Sequence, residues 1–167
     1  YAEPPSFQIT VFSPRAQQPN WYREGIAYQI FPDRFARGKD WEKRAHRALA
    51  RPRGAAERVL VEDWDTPPTY ARREDASIAR WDFYGGTLEG VREHLDYLEN
   101  LGVSVIYLNP IFEAASNHRY DTADYLRIDP MLGGENDLRT LCVDAAERGM
   151  SVILDGVFNH CGADSRR

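Results

Sequence analysis

The chain has 167 residues, of which 43% are hydrophobic and 28% charged, and a formal net charge of −5. That length suits one ordinary domain with a real core, and the acidic balance excludes a general nucleic-acid binder. No apolar run approaches the length of a membrane span, and no basic n-region precedes an apolar h-region, so the sequence shows neither a membrane segment nor a secretory signal and a cytoplasmic setting is expected. The first residue is Tyr1 rather than Met, so the chain is expected to be a cut or processed piece. The two cysteines, Cys142 and Cys161, are too few for a disulfide framework and lack metal-ligand spacing. They read as a buried thiol and a loop thiol.

Residues 6–12, "FQITVFS", alternate apolar and polar and predict a short strand. A linker follows, and "WYREGIAYQIF" predicts a strand over 25–31. Residues 37–80 are charged and proline-bearing, a long excursion of the kind that often carries function. Within it a short helix near 41–49 and a short strand near 58–61 are expected. Its arginines suit a solvated loop better than a binding patch.

Order returns at "FYGGTLEGVREHLDYLENLG". Gly85 and Gly86 make a turn, and Thr87 is a good N-cap. Leu88, Val91, Leu95 and Leu98 fall on one face of a helix expected over 88–101, with Gly102 at its stop. "VSVIYLNPIF" is a β-branched apolar run of the kind buried on both faces, giving a strand over 103–109. After a loop, a helix is expected over 135–148, with Leu138, Leu141 and Ala145 facing the core. "SVILDGVF" predicts another continuous apolar strand over 151–157. Strand, helix, strand, helix, strand implies a parallel sheet with right-handed crossovers. In such α/β sheets ligands collect at the carboxyl ends of the strands. Asn109, Asp155, Asn159 and His160 all fall there. Spacing alone leaves Asp155 open between a structural carboxylate and a functional one. Taken singly, His160 reads as a satisfied loop histidine and Asn159 as a turn residue.

The hexapeptide "DGVFNH" (155–160) is more specific. It resembles the first signature region of the α-amylase superfamily, glycoside hydrolase family 13, which follows the third strand of the catalytic barrel. "AYQIFPDRF" resembles the first barrel strand of the cyclomaltodextrinase, neopullulanase and maltogenic amylase branch. "DFYGGTLEGVREHLDYLENLGVSVIYLNPIF" resembles its first helix and second strand, and "SNHRYDTADYLRIDPMLGG" the loop beyond. The resemblance implies a partial (β/α)8 TIM barrel: the first three parallel strands and two helices over residues 21–167, preceded at 1–20 by the tail of a β-sandwich domain and a linker. It implies α-glucan oligosaccharides as partners. Tyr120 would stack on the sugar beside the cleaved bond, and His160 would bind that sugar's hydroxyls. Asp155 would be a positioning carboxylate that meets an arginine near the nucleophile. Asn117 and His118 would line the same loop. Asn159 matches a residue that helps bind calcium in some members.

Two departures from the branch pattern are visible. The loop after Phe35 carries Arg37 and Lys39 where a calcium site wants oxygen ligands, and Thr87 stands where Asp is frequent, so that site reads as lost and no cofactor is required. Retaining glycosidases use two carboxylates, a nucleophile and an acid/base. The resemblance places both after later strands, so this chain is expected to be truncated and inactive alone. Its open strands are expected to self-associate, unless the 37–80 excursion covers them. Two other readings compete: a non-catalytic carbohydrate-binding or interaction module, and a nucleotide-binding α/β domain. The glycines of "YGGTLEG" form neither a GxGxxG nor a P-loop pattern, which disfavours the second.

Overall fold

The computed structural model describes residues 19–165. The strand expected over 6–12 and most of the segment read as a domain tail lie outside the described residues. The described elements run α1 (Asn20–Arg23), β1 (Ala27–Ile30), a 3₁₀ turn (Pro32–Arg34), α2 (Trp41–Leu49), β2 (Glu57–Leu60), β3 (Arg80–Phe83), α3 (Leu88–Glu93), α4 (Leu95–Asn100), β4 (Val105–Leu108), β5 (Phe112–Ala114), β6 (Thr122–Ile128), α5 (Glu135–Glu147) and β7 (Ser151–Leu154).

The expected parallel sheet is present in the order β1-β4-β7. Tyr28, Ile106 and Val152 stand side by side, as do Ile30, Leu108 and Leu154. Parallel strands at this spacing need crossover helices, and α3–α4 and α5 supply them. Leu88, Val91, Leu95, Leu98 and Leu141 are all at most 1% exposed and join Ile30, Ile106 and Leu108 in one cluster. Each such side chain contributes about 1.5–3 kcal/mol through burial. β4, flanked on both sides, is the most buried strand.

Three elements differ from expectation, and the 37–80 excursion holds the helix and the strand expected in it, with a pairing that was not expected. The helix expected over 88–101 is broken at His94. His94 N–H bonds the carbonyl of Val91, while the ring Nδ1 bonds that of Gly90 at 2.8 Å. The side chain thus takes the carbonyl that the helical N–H would have served. β7 stops at Leu154 rather than 157, and no residue in it is fully buried. Among the described residues it pairs with β4 alone, so one edge lacks a neighbour. The segment after β4 is not simply a loop. Phe112–Ala114 pairs antiparallel with Thr122–Ile128, with a register shift on each side of Glu113. The 37–80 excursion is ordered: its helix falls at Trp41–Leu49, and Glu57–Leu60 pairs in parallel with Arg80–Phe83.

The loop after β1 lies hard against the start of α3. Asp33 is fully buried and accepts from the backbone N–H groups of Tyr84 (3.0 Å) and Gly85 (3.3 Å). Burial pushes its pKa up, opposed by the nearby Arg119 cation and those two hydrogen bonds. A Cβ on Gly86 would lie 2.0 Å from the Pro32 carbonyl oxygen, so only glycine fits. Thr87 caps α3 as expected: its hydroxyl accepts from Gly90 N–H at 2.9 Å and also from Gly38 N–H at 3.0 Å. The first loop is thereby fixed above the carboxyl ends of the strands.

Candidate functional site

β7 extends its ladder by one bond past Leu154, since Asp155 N–H donates to the Leu108 carbonyl at 3.0 Å. Side chains alternate along a strand, so Asp155 shares a face with Ile153 and with Ile153's neighbour Tyr107. That face points away from the helix-covered core. Asn109 sits at the matching end of β4, where its side-chain oxygen accepts from Gln29 Nε2 at 2.7 Å.

Tyr120 arrives from the turn between β5 and β6. Arg119, at φ 62°, takes the left-handed conformation that turns the chain there. It is wholly buried, ion-paired to Asp129 at 2.8 Å, and donates to the Asn117 carbonyl at 2.7 Å. Ser116 N–H and hydroxyl both donate to Asp121. A short residue run is thus tied at several points, and Tyr120 projects from it. Its hydroxyl donates to Asp155 Oδ2 at 2.7 Å. This bond, burial and the carboxylate's charge push the phenol pKa up to about 12. Tyr107 is raised as well, chiefly by burial and then by the charge of Asp155. One carboxylate therefore receives the Tyr120 phenol at the carboxyl end of the sheet, with Tyr107 on the same face. Such a group accepts and positions; the phenols stay protonated through the neutral range and offer flat apolar faces.

His118 sits beside Tyr120 with its ring centroid 5.8 Å away, and 5.0 Å from the ring of Trp81 on β3. Its Nδ1 accepts from Tyr120 N–H at 3.1 Å, and burial lowers its pKa. It is held as a neutral ring. Asn117 is buried, and its amide donates to the Asp82 carbonyl at 2.8 Å, tying this turn to the excursion. The structure therefore brings together Tyr120, His118 and Asp155, while the Asn117 amide turns to the Asp82 carbonyl.

His160 and Asn159 lie in the exposed loop beyond β7. The His160 carbonyl accepts from Tyr125 hydroxyl at 3.3 Å, which pins the loop's backbone. Its imidazole makes no hydrogen bond among the described residues. No group of three or more His, Cys, Asp or Glu side chains is placed to hold an ion among the described residues. At the loop after Phe35, the Arg37 guanidinium lies 3.6 Å from the Trp41 ring centroid and donates to the carbonyls of Tyr84, Glu62 and Val61 at 2.7–2.8 Å. The oxygens gathered there already face a fixed cation, so a divalent ion does not fit.

Three residues of this site escaped the sequence reading: Tyr107, Gln29 and Trp81. Tyr107 had a readable signal, because it stands two residues before Asn109 in a strand and must share its face. Trp81 had none, since only the unforeseen pairing of β2 with β3 places it against His118.

A family model described as alpha amylase, catalytic domain, matches residues 29–166. An amylopullulanase from Thermoanaerobacterium saccharolyticum is 44% identical over 165 residues, which is 95% of this chain and 13% of the relative. A cyclomaltodextrinase from Geobacillus thermopakistaniensis is 44% identical over 146 residues, 87% of this chain and 21% of the relative. Among solved structures, the cyclic alpha-maltosyl-(1→6)-maltose hydrolase of Arthrobacter globiformis in complex with maltose matches with a TM-score of 0.68 and 37% identity, covering 88% of this chain and 28% of that one. The chain thus spans well under a third of the relatives it resembles.

Proposed function

Since the chain belongs to the alpha-amylase catalytic-domain family, and its three parallel strands match part of that family's barrel, we propose that it supplies the sugar-positioning side of a retaining glycosidase or transglycosidase acting on α-glucans, maltooligosaccharides or cyclodextrins. The observation that carries this is the hydrogen bond from Tyr120 to Asp155 at the carboxyl end of the sheet. Tyr120 offers its ring to the apolar face of a sugar, and Asp155 fixes that ring's angle. His160 approaches the sugar hydroxyls from the loop beyond β7, and His118 backs Tyr120 as a neutral ring. Asp155 acts as the supporting carboxylate, paired with the Tyr120 phenol. The nucleophile and the acid/base come from outside these 167 residues, so the isolated chain binds sugar without cleaving it. The solved relative in complex with maltose supports an oligosaccharide as ligand.

The test uses the full-length protein that carries this chain. Tyr120→Ala and His160→Ala should each lower kcat/KM on maltotetraose by about 10-fold or more, the size of one lost transition-state contact, at unchanged melting temperature. Unchanged kinetics in both variants removes these residues from the site. Product release by the 167-residue chain that disappears in its own His160→Ala variant would show the chain catalytic after all. The bare edge of β7, with Leu154 38% and Phe158 89% exposed beside it, is the surface through which two isolated chains pair; a strict monomer at micromolar concentration by light scattering contradicts this.

A further inference from the structure

The excursion holds a hollow that the site above does not use. It has a volume of about 250 Å³ and lies between residues 69–82, the 3₁₀ turn after β1 and the turn carrying His118. Its walls include Phe31, Tyr70 and Trp81, and its polar lining includes Arg34, Asp82 and His118. Tyr70 is 86% exposed, a large aromatic ring held at the rim of a concavity rather than packed.

Arg34 is the telling residue. Its guanidinium lies over the rings of Tyr84 (4.9 Å) and Phe31 (5.4 Å). Among the described residues its side chain makes no hydrogen bond and no ion pair, and its Nε is buried without a partner. Neighbouring arginines each hold at least one fixed partner, although Arg119 Nη2 is also buried without one. Arg37 serves three carbonyls, Arg80 pairs with Asp82, and Arg119 pairs with Asp129. A guanidinium fixed on two aromatic faces with its donors uncommitted is set to meet a ligand's oxygens. The hollow also adjoins the site. His118 lines it, and the His118 ring stands 5.0 Å from Trp81 and 5.8 Å from Tyr120. One file of rings thus leads from Asp155 into the excursion.

We propose that this hollow is an additional glucosyl subsite, taking the units of an α-glucan that extend beyond Tyr120, with Tyr70 and Trp81 as apolar platforms and Arg34 as the hydroxyl-binding group. The assignment rests on the α-glucan reading above and adds a chain-length preference to it. A pyranose has an apolar C–H face and a rim of hydroxyl oxygens, and the lining offers a match to each. A purely apolar ligand would bury the uncommitted donors of Arg34 without partners, at a cost. An anion would face the Asp82 carboxylate, which already neutralises Arg80. The excursion then serves as a reader of substrate length rather than a solvated insertion.

Isothermal titration of the 167-residue chain with maltose, maltotriose, maltopentaose and inorganic phosphate tests this. The unmodified chain should bind maltopentaose about 10-fold tighter than maltose, equivalent to about 1.4 kcal/mol. Tyr70→Ala, at an exposed position where folding is not at stake, should remove most of that gain while leaving maltose affinity within about 2-fold, as expected for loss of one aromatic contact at an otherwise intact site. Arg34→Met, which keeps an apolar stem on the two rings, should do the same. A flat length series with maltose binding intact and abolished by Tyr120→Ala refutes the subsite alone. A length gain that survives both variants also refutes it. Phosphate binding lost in Arg34→Met without a length effect assigns the hollow to an anion and overturns the proposal. Failure of every sugar to bind overturns the α-glucan reading, and the subsite with it.

Discussion

Replacing Asp155 by Asn tests the core of the site directly. Tyr120 donates to Asp155 at 2.7 Å, and its phenol pKa is pushed from 10.0 to about 12 with that bond as the first cause. Such a rise corresponds to about 2.7 kcal/mol in favour of the neutral phenol, at 1.36 kcal/mol per pH unit. Asparagine keeps an acceptor oxygen but removes the charge, so burial and a weaker, uncharged hydrogen bond remain to hold the phenol up. The Tyr120 pKa should then fall by at least about one pH unit, since two of its leading causes depend on the carboxylate. Tyr107 should fall too, by less, because burial is its first cause. Phenolate absorbance followed against pH in the parent, Asp155→Asn and Tyr120→Phe chains isolates the Tyr120 contribution by difference. The sign for stability follows from proton counting. Between pH 10 and 12 the unfolded phenol loses its proton while the folded one keeps it, so the contribution is whole below pH 10 and is lost as pH rises towards 12. Asp155→Asn should make that alkaline decline shallower. An ordinary Tyr120 titration near 10 in the parent, or one unchanged by Asp155→Asn, would refute the pairing and with it the positioning role of the carboxylate.

Two further perturbations address what holds the site in place. Arg119→Met leaves Asp129, 2% exposed, as a buried carboxylate without its partner; denaturant unfolding should show a loss of about 3–5 kcal/mol, and a loss under 1 would mean Asp129 is satisfied without Arg119. Gly86→Ala drives a Cβ to 2.0 Å from a backbone oxygen, whereas Gly134→Ala meets its nearest atom only at 4.0 Å and at a negative φ; the first should destabilise by about 1–3 kcal/mol or more and the second by well under 1, and equal melting temperatures would break the argument from close approach.

The sequence by itself determined the parts of this protein whose physics is local. The 3.6-residue period put Leu88, Val91, Leu95 and Leu98 on one face, and all four are at most 1% exposed. Thr87 announced the start of α3, and the apolar runs announced β1, β4 and β7. Tyr120 and Asp155 were legible through likeness to a motif, not through any local signal that they touch. Tertiary structure alone decided their hydrogen bond across 35 residues, the second phenol of Tyr107, and the file from Trp81 through His118. It also decided that "TADYLRI" pairs with 112–114 and that Arg80–Phe83 lies along Glu57–Leu60. The reason is one of range. A helix face or a cap is fixed by neighbours a few residues away, whereas which strand edge meets which, and so which carboxylate a tyrosine finds, depends on chain closure that no short window of sequence contains.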